Sequence, residues 1–169
     1  METTLDSPVS EQRPVEYAGF WLRFVAYIID AIILSIGYWI IISPLLGLLG
    51  LGTFNSFSSG NMSEEEMMGV ASIFSGSIVL IQIVSIILYW LYFALMESSN
   101  KQATVGKMAL GLVVTDMHGN KISFGQATGR YFGKIISGLI LAIGYIMAGF
   151  TEKKQALHDM LAGTLVVKK

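Results

Sequence analysis

The fold is decided by the stretch A-G-F-W-L-R-F-V-A-Y-I-I-D, residues 18–30, which carries an arginine and an aspartate into an apolar run. Asp30 is the only charged residue from Phe24 to Leu51. A carboxylate in a membrane helix costs about 2.5–3.5 kcal/mol, so it marks a candidate functional site. Arg23 and Asp30 lie on nearly the same helix face but about 10 Å apart along the axis. We therefore expect each charge to have a separate partner elsewhere in the chain.

The composition indicates a membrane protein and argues against several other classes. Of 169 residues, 53% are hydrophobic and only 14% are charged, which is far from an ordinary soluble domain. A net charge of −1 gives no reason to expect nucleic acid. Without cysteine, and with only His118 and His158 at no metal-binding spacing, we predict no metal and no cofactor. No serine, histidine and acid occur at a spacing that would suggest hydrolysis, so we predict no enzyme activity.

The chain divides into a short polar segment and one membrane domain. Residues 1–16 form a polar tail, and residues 17–167 form the domain. Apolar runs predict membrane segments near residues 21–43, 70–96 and 131–150. Pro44 is expected to kink or end the first segment. The Gly/Ser-rich residues 52–69 form a loop, which ends in a capping box, Ser63 with Glu66, that starts the second segment.

Between and after these segments the sequence predicts small elements outside the bilayer. The loop 97–130 contains two β-branched runs around a Gly-Asn turn, which is typical of a β-hairpin. Residues 163–167 have the composition of a third strand. Residues 151–162, starting at a Thr151 cap, predict a short interfacial helix.

Two alternatives remain for residues 131–150. They either cross the membrane or break near Gly144, re-enter and return. The distribution of Lys and Arg predicts that the N-terminus and the loop 97–130 both face the cytoplasm. Only a returning segment lets the 163–167 strand join the hairpin and lets Asp159 approach Arg23. The predicted fold class is thus an all-α integral membrane protein of the bacterial inner membrane, with two full transmembrane helices, a third spanning or re-entrant segment and a small cytoplasmic β element.

Three stretches together resemble a known family. They are the quoted residues 18–30, Q-A-T-V-G-K-M-A-L-G-L-V-V-T-D-M-H-G at 102–119, and K-K-Q-A-L-H-D-M-L-A-G-T-L-V-V at 153–167. In combination, and with Arg130, they resemble the RDD family of membrane proteins. Its name refers to an arginine and two aspartates, which here would be Arg23, Asp30 and Asp159. The resemblance implies a role in transport, including sodium/proton antiport, or in assembly of membrane complexes.

The charged residues have roles that the sequence leaves open. Asp30 either relays protons or cations, because a carboxylate at membrane depth can exchange the two, or it is buried against Arg130 or Lys134. Arg23 either anchors the chain at lipid headgroups or pairs with Asp159.

Three further residues are predicted to support this site. Lys107 is expected to contact headgroups or anchor its loop, since Met108 replaces the Ser or Thr that a phosphate-binding loop requires. His158 is expected to be a hydrogen-bonding interfacial residue. Arg130 and Lys134 complete the set of basic residues near the third segment.

Two functions follow from the sequence. The first is small-cation or proton-coupled transport, with Asp30 as the titrating carboxylate and Arg23 and Asp159 as its gate or brace. Its partners would be the lipid bilayer and sodium or protons. Three short segments enclose little volume, so a homo-oligomer or a membrane partner protein would complete the path. The alternative is a non-catalytic assembly or scaffold subunit, in which the same charges only lock the fold.

Overall fold

Two long helices form the body of the protein. The computed structural model describes residues 15–58, 63–140 and 143–169. Helix α1 covers Phe20–Ser58 and helix α2 covers Glu64–Ser98. Both are long and apolar enough to cross a membrane, as predicted. Most of the predicted polar tail, residues 1–14, lies outside the described residues.

The loop between these helices is shorter than predicted, because both helices continue into residues 52–69. Helix α1 contains Pro44 and extends to Ser58. Proline removes one backbone hydrogen bond, but lipid offers the chain no other partner, so the remaining bonds keep the segment helical. Helix α2 begins at the predicted capping box: Ser63 Oγ accepts from the Glu66 N–H at 3.2 Å, and the Glu66 carboxylate accepts from the Ser63 N–H at 2.8 Å.

The third apolar segment is a bent pair of helices that begins earlier than predicted. Helix α4 covers Phe124–Leu139, and helix α5, Ile143–Ile146, leads into a 3-10 turn at Met147–Gly149. The two parts are bent by 118°. The buried residues of α4 are spaced three or four apart and form one face: Ala127, Arg130, Gly133 and Ser137.

A small antiparallel sheet joins parts of the chain that are far apart in sequence. Strand β1, Leu112–Asp116, pairs with strand β2, Thr164–Lys168. The predicted second hairpin strand is reduced to one bridge, Thr115 to Lys121. Ser123 explains the difference, because its Oγ accepts from the Gln126 N–H at 3.2 Å and starts α4 just after the turn. The predicted C-terminal strand, β2, pairs with β1 in place of the second hairpin strand.

The sheet also decides between the two alternatives for residues 131–150. The other edge of β2 pairs with residues 16–18, where the Ala18 N–H donates to the Val166 carbonyl at 2.8 Å. Strand β2 therefore lies between the start of the described chain and the loop after α2. Because α4 and α5 lie between β1 and β2 in sequence, the chain must bend and return to the same end of α1 and α2, as the returning alternative requires.

The last helix is shorter than predicted and starts later. Helix α6 covers Leu157–Leu161. Thr151 does not cap it: its hydroxyl donates to the Gln155 carbonyl at 2.9 Å within a preceding turn. The first turn of α6 is instead capped by Asp159, whose carboxylate accepts a hydrogen bond from the Ala156 N–H at 3.1 Å.

Residues 15–30, 91–140 and 143–169 form a compact unit at one end of the two long helices, which we call the cap. It includes helix α3, Val105–Ala109. Its apolar core brings side chains of the sheet together with Ile122 and with four alanines, three of which lie on helices. The core members are Ala18, Ala26, Ala94, Leu112, Val114, Ile122, Ala127 and Val166. The predicted charged residues lie next to this core.

Candidate functional site

Asp30 is almost fully buried, with 1% of its surface exposed, and it accepts three hydrogen bonds. Its Oδ1 accepts from the Tyr92 hydroxyl at 2.8 Å and from the Gly106 N–H at 2.7 Å. Its Oδ2 accepts from the Thr104 hydroxyl at 2.6 Å. Since Tyr92 lies on α2 and the other two donors belong to the start of α3, this carboxylate joins three helices.

The partners of Asp30 differ from the basic residue that the sequence predicted. Within residues 15–58, 63–140 and 143–169, Asp30 forms no ion pair, and Arg130 and Lys134 pair with other acids. Neutral donors can satisfy a carboxylate because each supplies a hydrogen bond to a charged acceptor. They do so without a second desolvated charge.

Arg23 forms an ion pair with Asp159, which was one of the two roles predicted for this arginine. Arg23 Nη1 contacts the Asp159 carboxylate. The rest of the guanidinium is also engaged, since Nε donates to the Ala18 carbonyl at 2.7 Å and Nη2 donates to the Lys154 carbonyl at 2.6 Å. Arg23 therefore fixes α1 to the turn before α6, and it lies inside the cap rather than among headgroups.

Arg130 connects this pair to a second acid, Glu97. Arg130 is 1% exposed. Its Nη2 lies 2.7 Å from Asp159 Oδ1 and its Nη1 lies 3.3 Å from Glu97 Oε2. Both are ion pairs whose angles fall outside hydrogen-bond geometry. Two acids and two arginines thus form one continuous chain of charges.

Glu97 is the charged residue of the site that sequence reasoning missed. It is 1% exposed and lies near three cations: Lys107 Nζ at 2.5 Å, Arg130 and Lys134 Nζ at 3.7 Å. The available signal was its position, because it is the first charge after the uncharged run Val70–Met96. The same logic that selected Asp30 would have found it.

Lys107 and Lys134 both turn inward toward Glu97. Lys107 is 7% exposed. Its predicted roles were contact with headgroups and anchoring of its loop, and in the structure it anchors the loop. Burial lowers the pKa of Lys107 below its ordinary value, and Glu97 opposes the shift. Lys134 Nζ also lies 4.4 Å from the centre of the Phe93 ring, a cation–π contact.

His158 is buried in the cap instead of lying at its edge. Its Nδ1 is 3.4 Å from the Ser137 hydroxyl, and its Nε2 is 3.6 Å from Asp159 Oδ1. Burial lowers the pKa of His158 to about 3, with Asp159 opposing the shift, so the imidazole is neutral at pH 7. Burial alone would raise the pKa of Asp159, but Arg130 and Arg23 hold it well below its usual range.

Three glycines allow the elements of the site to approach closely. A Cβ at Gly106 would lie 2.0 Å from the Ala26 carbonyl oxygen, and one at Gly144 would lie 2.7 Å from Ser137 Cβ. At Gly133 the nearest atom is His158 Cβ at 3.0 Å. Close contact therefore explains three of the glycines that surround the charged residues.

A groove of about 340 Å³ lies between the helices on the membrane side of this network. Six of its seven lining residues carry a polar side-chain group. The lining consists of Ser35, Tyr38, Gln82, Ser85, Ile86, Tyr89 and Tyr131. Tyr92, whose hydroxyl donates a hydrogen bond to Asp30, follows Tyr89 by about one helical turn.

Together these features define a small multi-pass helical membrane protein whose cap is crosslinked by buried charges. The chain belongs to the RDD family, whose family model matches residues 17–163. Arg23, Asp30 and Asp159 lie within the matched range. No solved structure matches the chain.

Curated relatives come from Bacillus subtilis. The chain is 40% identical over 152 residues to the uncharacterised protein YxaI, and the match covers 90% of this chain and 97% of the relative. It is 32% identical over 163 residues to the uncharacterised membrane protein YteJ, covering 89% of this chain and 80% of the relative. A third relative, the uncharacterised protein YckC, is 26% identical over 157 residues, with 88% and 83% covered.

Proposed function

We propose that this protein is a non-catalytic assembly or scaffold subunit of a membrane complex, in which the buried charges lock the fold. The observation that carries the proposal is the internal engagement of Asp30, Glu97 and Asp159, the three acids that are buried among the described residues. Breaking a buried pair costs about 3–5 kcal/mol. Such groups hold the cap in one conformation and favour a structural role.

The geometry of Asp30 supports this proposal over a relay role. An ionised carboxylate offers about four acceptor sites, and three of them receive donors from Tyr92, Thr104 and Gly106. A sodium ion would have to displace donors whose hydrogens point at the carboxylate. The same three bonds hold α3 against α1 and α2.

The membrane helices offer the surface that such a subunit needs. Only 11% of the apolar window of α1 and 6% of that of α2 are buried within the protein. Ile36 and Leu80 are 56% and 63% exposed. Besides lipid, a second copy or another membrane protein could therefore pack on these faces.

Photo-crosslinking in intact cells tests the assembly role. A photoreactive amino acid replaces Ile36 or Leu80 in the full chain, and Lys101, an exposed residue of the cap loop, serves as the matched control. We expect a discrete crosslinked protein species from the helix positions and none from the control. Adducts with lipid alone at both helix positions would overturn the proposal.

A second candidate is sodium or proton-coupled transport, with Asp30 as the intramembrane carboxylate and Arg23 and Asp159 as its brace. It is favoured by the Tyr92 hydrogen bond to Asp30, because Tyr92 continues the polar lining of the groove on α2. A homo-oligomer would extend this short polar surface into a path across the bilayer.

Reconstitution separates the two candidates. Purified wild type and Asp30→Asn are placed in liposomes containing a pH-sensitive dye, and a sodium gradient is applied. Glu152→Gln, in an exposed turn of the cap, is the control. For a scaffold we expect no flux from any of the proteins and a lower melting temperature for Asp30→Asn. Flux that Asp30→Asn abolishes without unfolding would overturn the scaffold proposal and support transport.

We further propose that the membrane is the bacterial inner membrane and that the N-terminus and cap face the cytoplasm. The support is the distribution of Lys and Arg: the loop 97–130 contains four of them and residues 52–69 contain none, and loops rich in Lys and Arg face the cytoplasm. The named relatives are bacterial proteins.

A further inference from the structure

We infer that the groove between α1, α2 and α4 is a binding site for an uncharged, hydroxyl-bearing lipid, such as a diacylglycerol. This inference is independent of the proposed assembly role. Its basis is a set of polar groups that converge on one groove at bilayer depth and have no partner within the described part of the chain.

Gln82 is the first of these groups. It is the thirteenth residue of the 27-residue uncharged run Val70–Met96, which places its amide near the middle of the membrane segment. The side chain is exposed, and it has no hydrogen bond to any residue in the ranges 15–58, 63–140 and 143–169. Polar groups in hydrocarbon are costly when unpaired, so the amide needs a partner from outside the chain.

Three tyrosine hydroxyls share this condition. Tyr38, Tyr89 and Tyr131 line the same groove, and none of their hydroxyls bonds to a described residue. The lining serines differ, because Ser35 donates to the Ile32 carbonyl at 2.8 Å and Ser85 donates to the Ile81 carbonyl at 2.7 Å. Four unpaired groups, one amide and three phenols, are therefore available to a ligand.

The chemistry of the lining selects an uncharged ligand. No acidic or basic side chain lines the groove, so a charged headgroup would lose hydration without gaining an ion pair. Hydroxyl groups suit the site because they donate and accept, as do phenols and amides. The groove belongs to the membrane-spanning parts of α1 and α2 and is exposed at Ser35, Gln82 and Ile86, so a ligand reaches it from the lipid.

The volume suits a lipid headgroup. The groove holds about 340 Å³, and small-molecule sites begin near 300 Å³. A glycerol headgroup with the first atoms of its acyl chains therefore fits the groove.

Binding of dioleoylglycerol to the purified full chain tests the inference. In nanodiscs, native mass spectrometry compares it with dioleoylphosphatidylglycerol, which adds a charge, and with free glycerol, which lacks acyl chains. We expect dioleoylglycerol to bind at least fivefold more tightly than either. Tyr89→Phe and Gln82→Leu should each weaken it about fivefold, the usual effect of one lost hydrogen bond.

The matched control is Tyr27→Phe, which removes the same hydroxyl from an exposed residue of α1 outside the groove and should leave binding unchanged. Melting temperatures of all variants show that the fold is intact. Equal binding of the charged lipid, or unchanged binding by both groove variants, would overturn the inference. So would a Gln82→Leu variant that dissociates a dimer and leaves lipid binding unaffected, because the groove would then be an interface between copies.

Discussion

The substitution Gly106→Ala should destabilise the cap more than any ordinary helix substitution. Helix α3 packs so closely on α1 that an added Cβ would lie 2.0 Å from the Ala26 carbonyl oxygen and 2.9 Å from Asp30 Cγ. Ordinary contacts begin at 3.4 Å. Helix α3 must therefore withdraw by roughly 1.4 Å, the difference between 3.4 and 2.0 Å.

The expected cost follows from the bonds that this withdrawal breaks. Gly106 N–H and the Thr104 hydroxyl donate to Asp30 at 2.7 and 2.6 Å, and neither bond survives such a shift. Hydrogen bonds to charged groups contribute about 1.5–3 kcal/mol each, so we expect a loss of about 3–6 kcal/mol. That is a large part of the 5–15 kcal/mol that typically stabilises a protein.

Thermal and denaturant unfolding in detergent measure this loss. Trp90, which packs against the cap core, provides a fluorescence signal. The matched control is Gly129→Ala on α4, where an added Cβ meets nothing within 4 Å, so we expect no loss and a gain of up to about 1 kcal/mol. A Gly106→Ala protein that unfolds within about 1 kcal/mol of the wild type would refute the close packing of α3 on α1.

Three other results are expected. Glu97→Gln removes the counter-charge of two buried cations, Lys107 and Arg130, and of the half-buried Lys134, and should cost about 3–5 kcal/mol in unfolding free energy. Glu65→Gln, exposed in the first turn of α2, should cost less than 0.5 kcal/mol, and equal losses would contradict the buried charge network. The pKa of His158 falls from 6.5 unfolded to about 3 folded, so the unfolded state binds more protons between these values and melting temperature should drop as pH falls from 6.5 to 4.5; His158→Gln should flatten this dependence, and an unchanged slope would argue against a buried neutral imidazole. Because the chain has no cysteine, single substitutions Lys101→Cys, Lys169→Cys and Glu65→Cys report topology with an impermeant thiol reagent: the first two should label from one side and the third from the other, and labelling of Lys169→Cys with Glu65→Cys would disprove the returning segment.

Charge patterns predicted much of this structure because a charged residue in an apolar run has few alternative partners. Arg23 at the mouth of the first helix needed an acid, and Asp159 was the acid that a returning chain could deliver. The C-terminal strand followed from its β-branched residues. These features depend on strong local signals or on a requirement for charge balance.

The partners of Asp30 could not be predicted in the same way. Thr104 and Gly106 carry no charge and become donors only when α3 packs across α1. A charge-based argument looked for a basic residue and therefore chose Arg130 or Lys134. Tertiary contacts between neutral groups leave no pattern in a single sequence.

The predicted hairpin is reduced to its turn and one bridge for a local reason. The turn at Gly119 and Asn120 is present, and Asp116 accepts from the backbone N–H groups of His118 and Asn120 at 2.8 Å each. The capping box at Ser123 competes for the next residues and directs them into α4. When two local signals lie three residues apart, packing of the helix face decides which one extends.

The position of β2 in the sheet has a consequence for biogenesis. During synthesis α1 and α2 are complete, and can enter the bilayer, while residues 157–168 are still inside the ribosome. Until those residues emerge, Arg23 and Arg130 have no Asp159, and residues 16–18 have no strand to pair with. A nascent chain truncated before this point would thus leave Arg23 without its acid, and Arg130 would keep only its ion pair with Glu97.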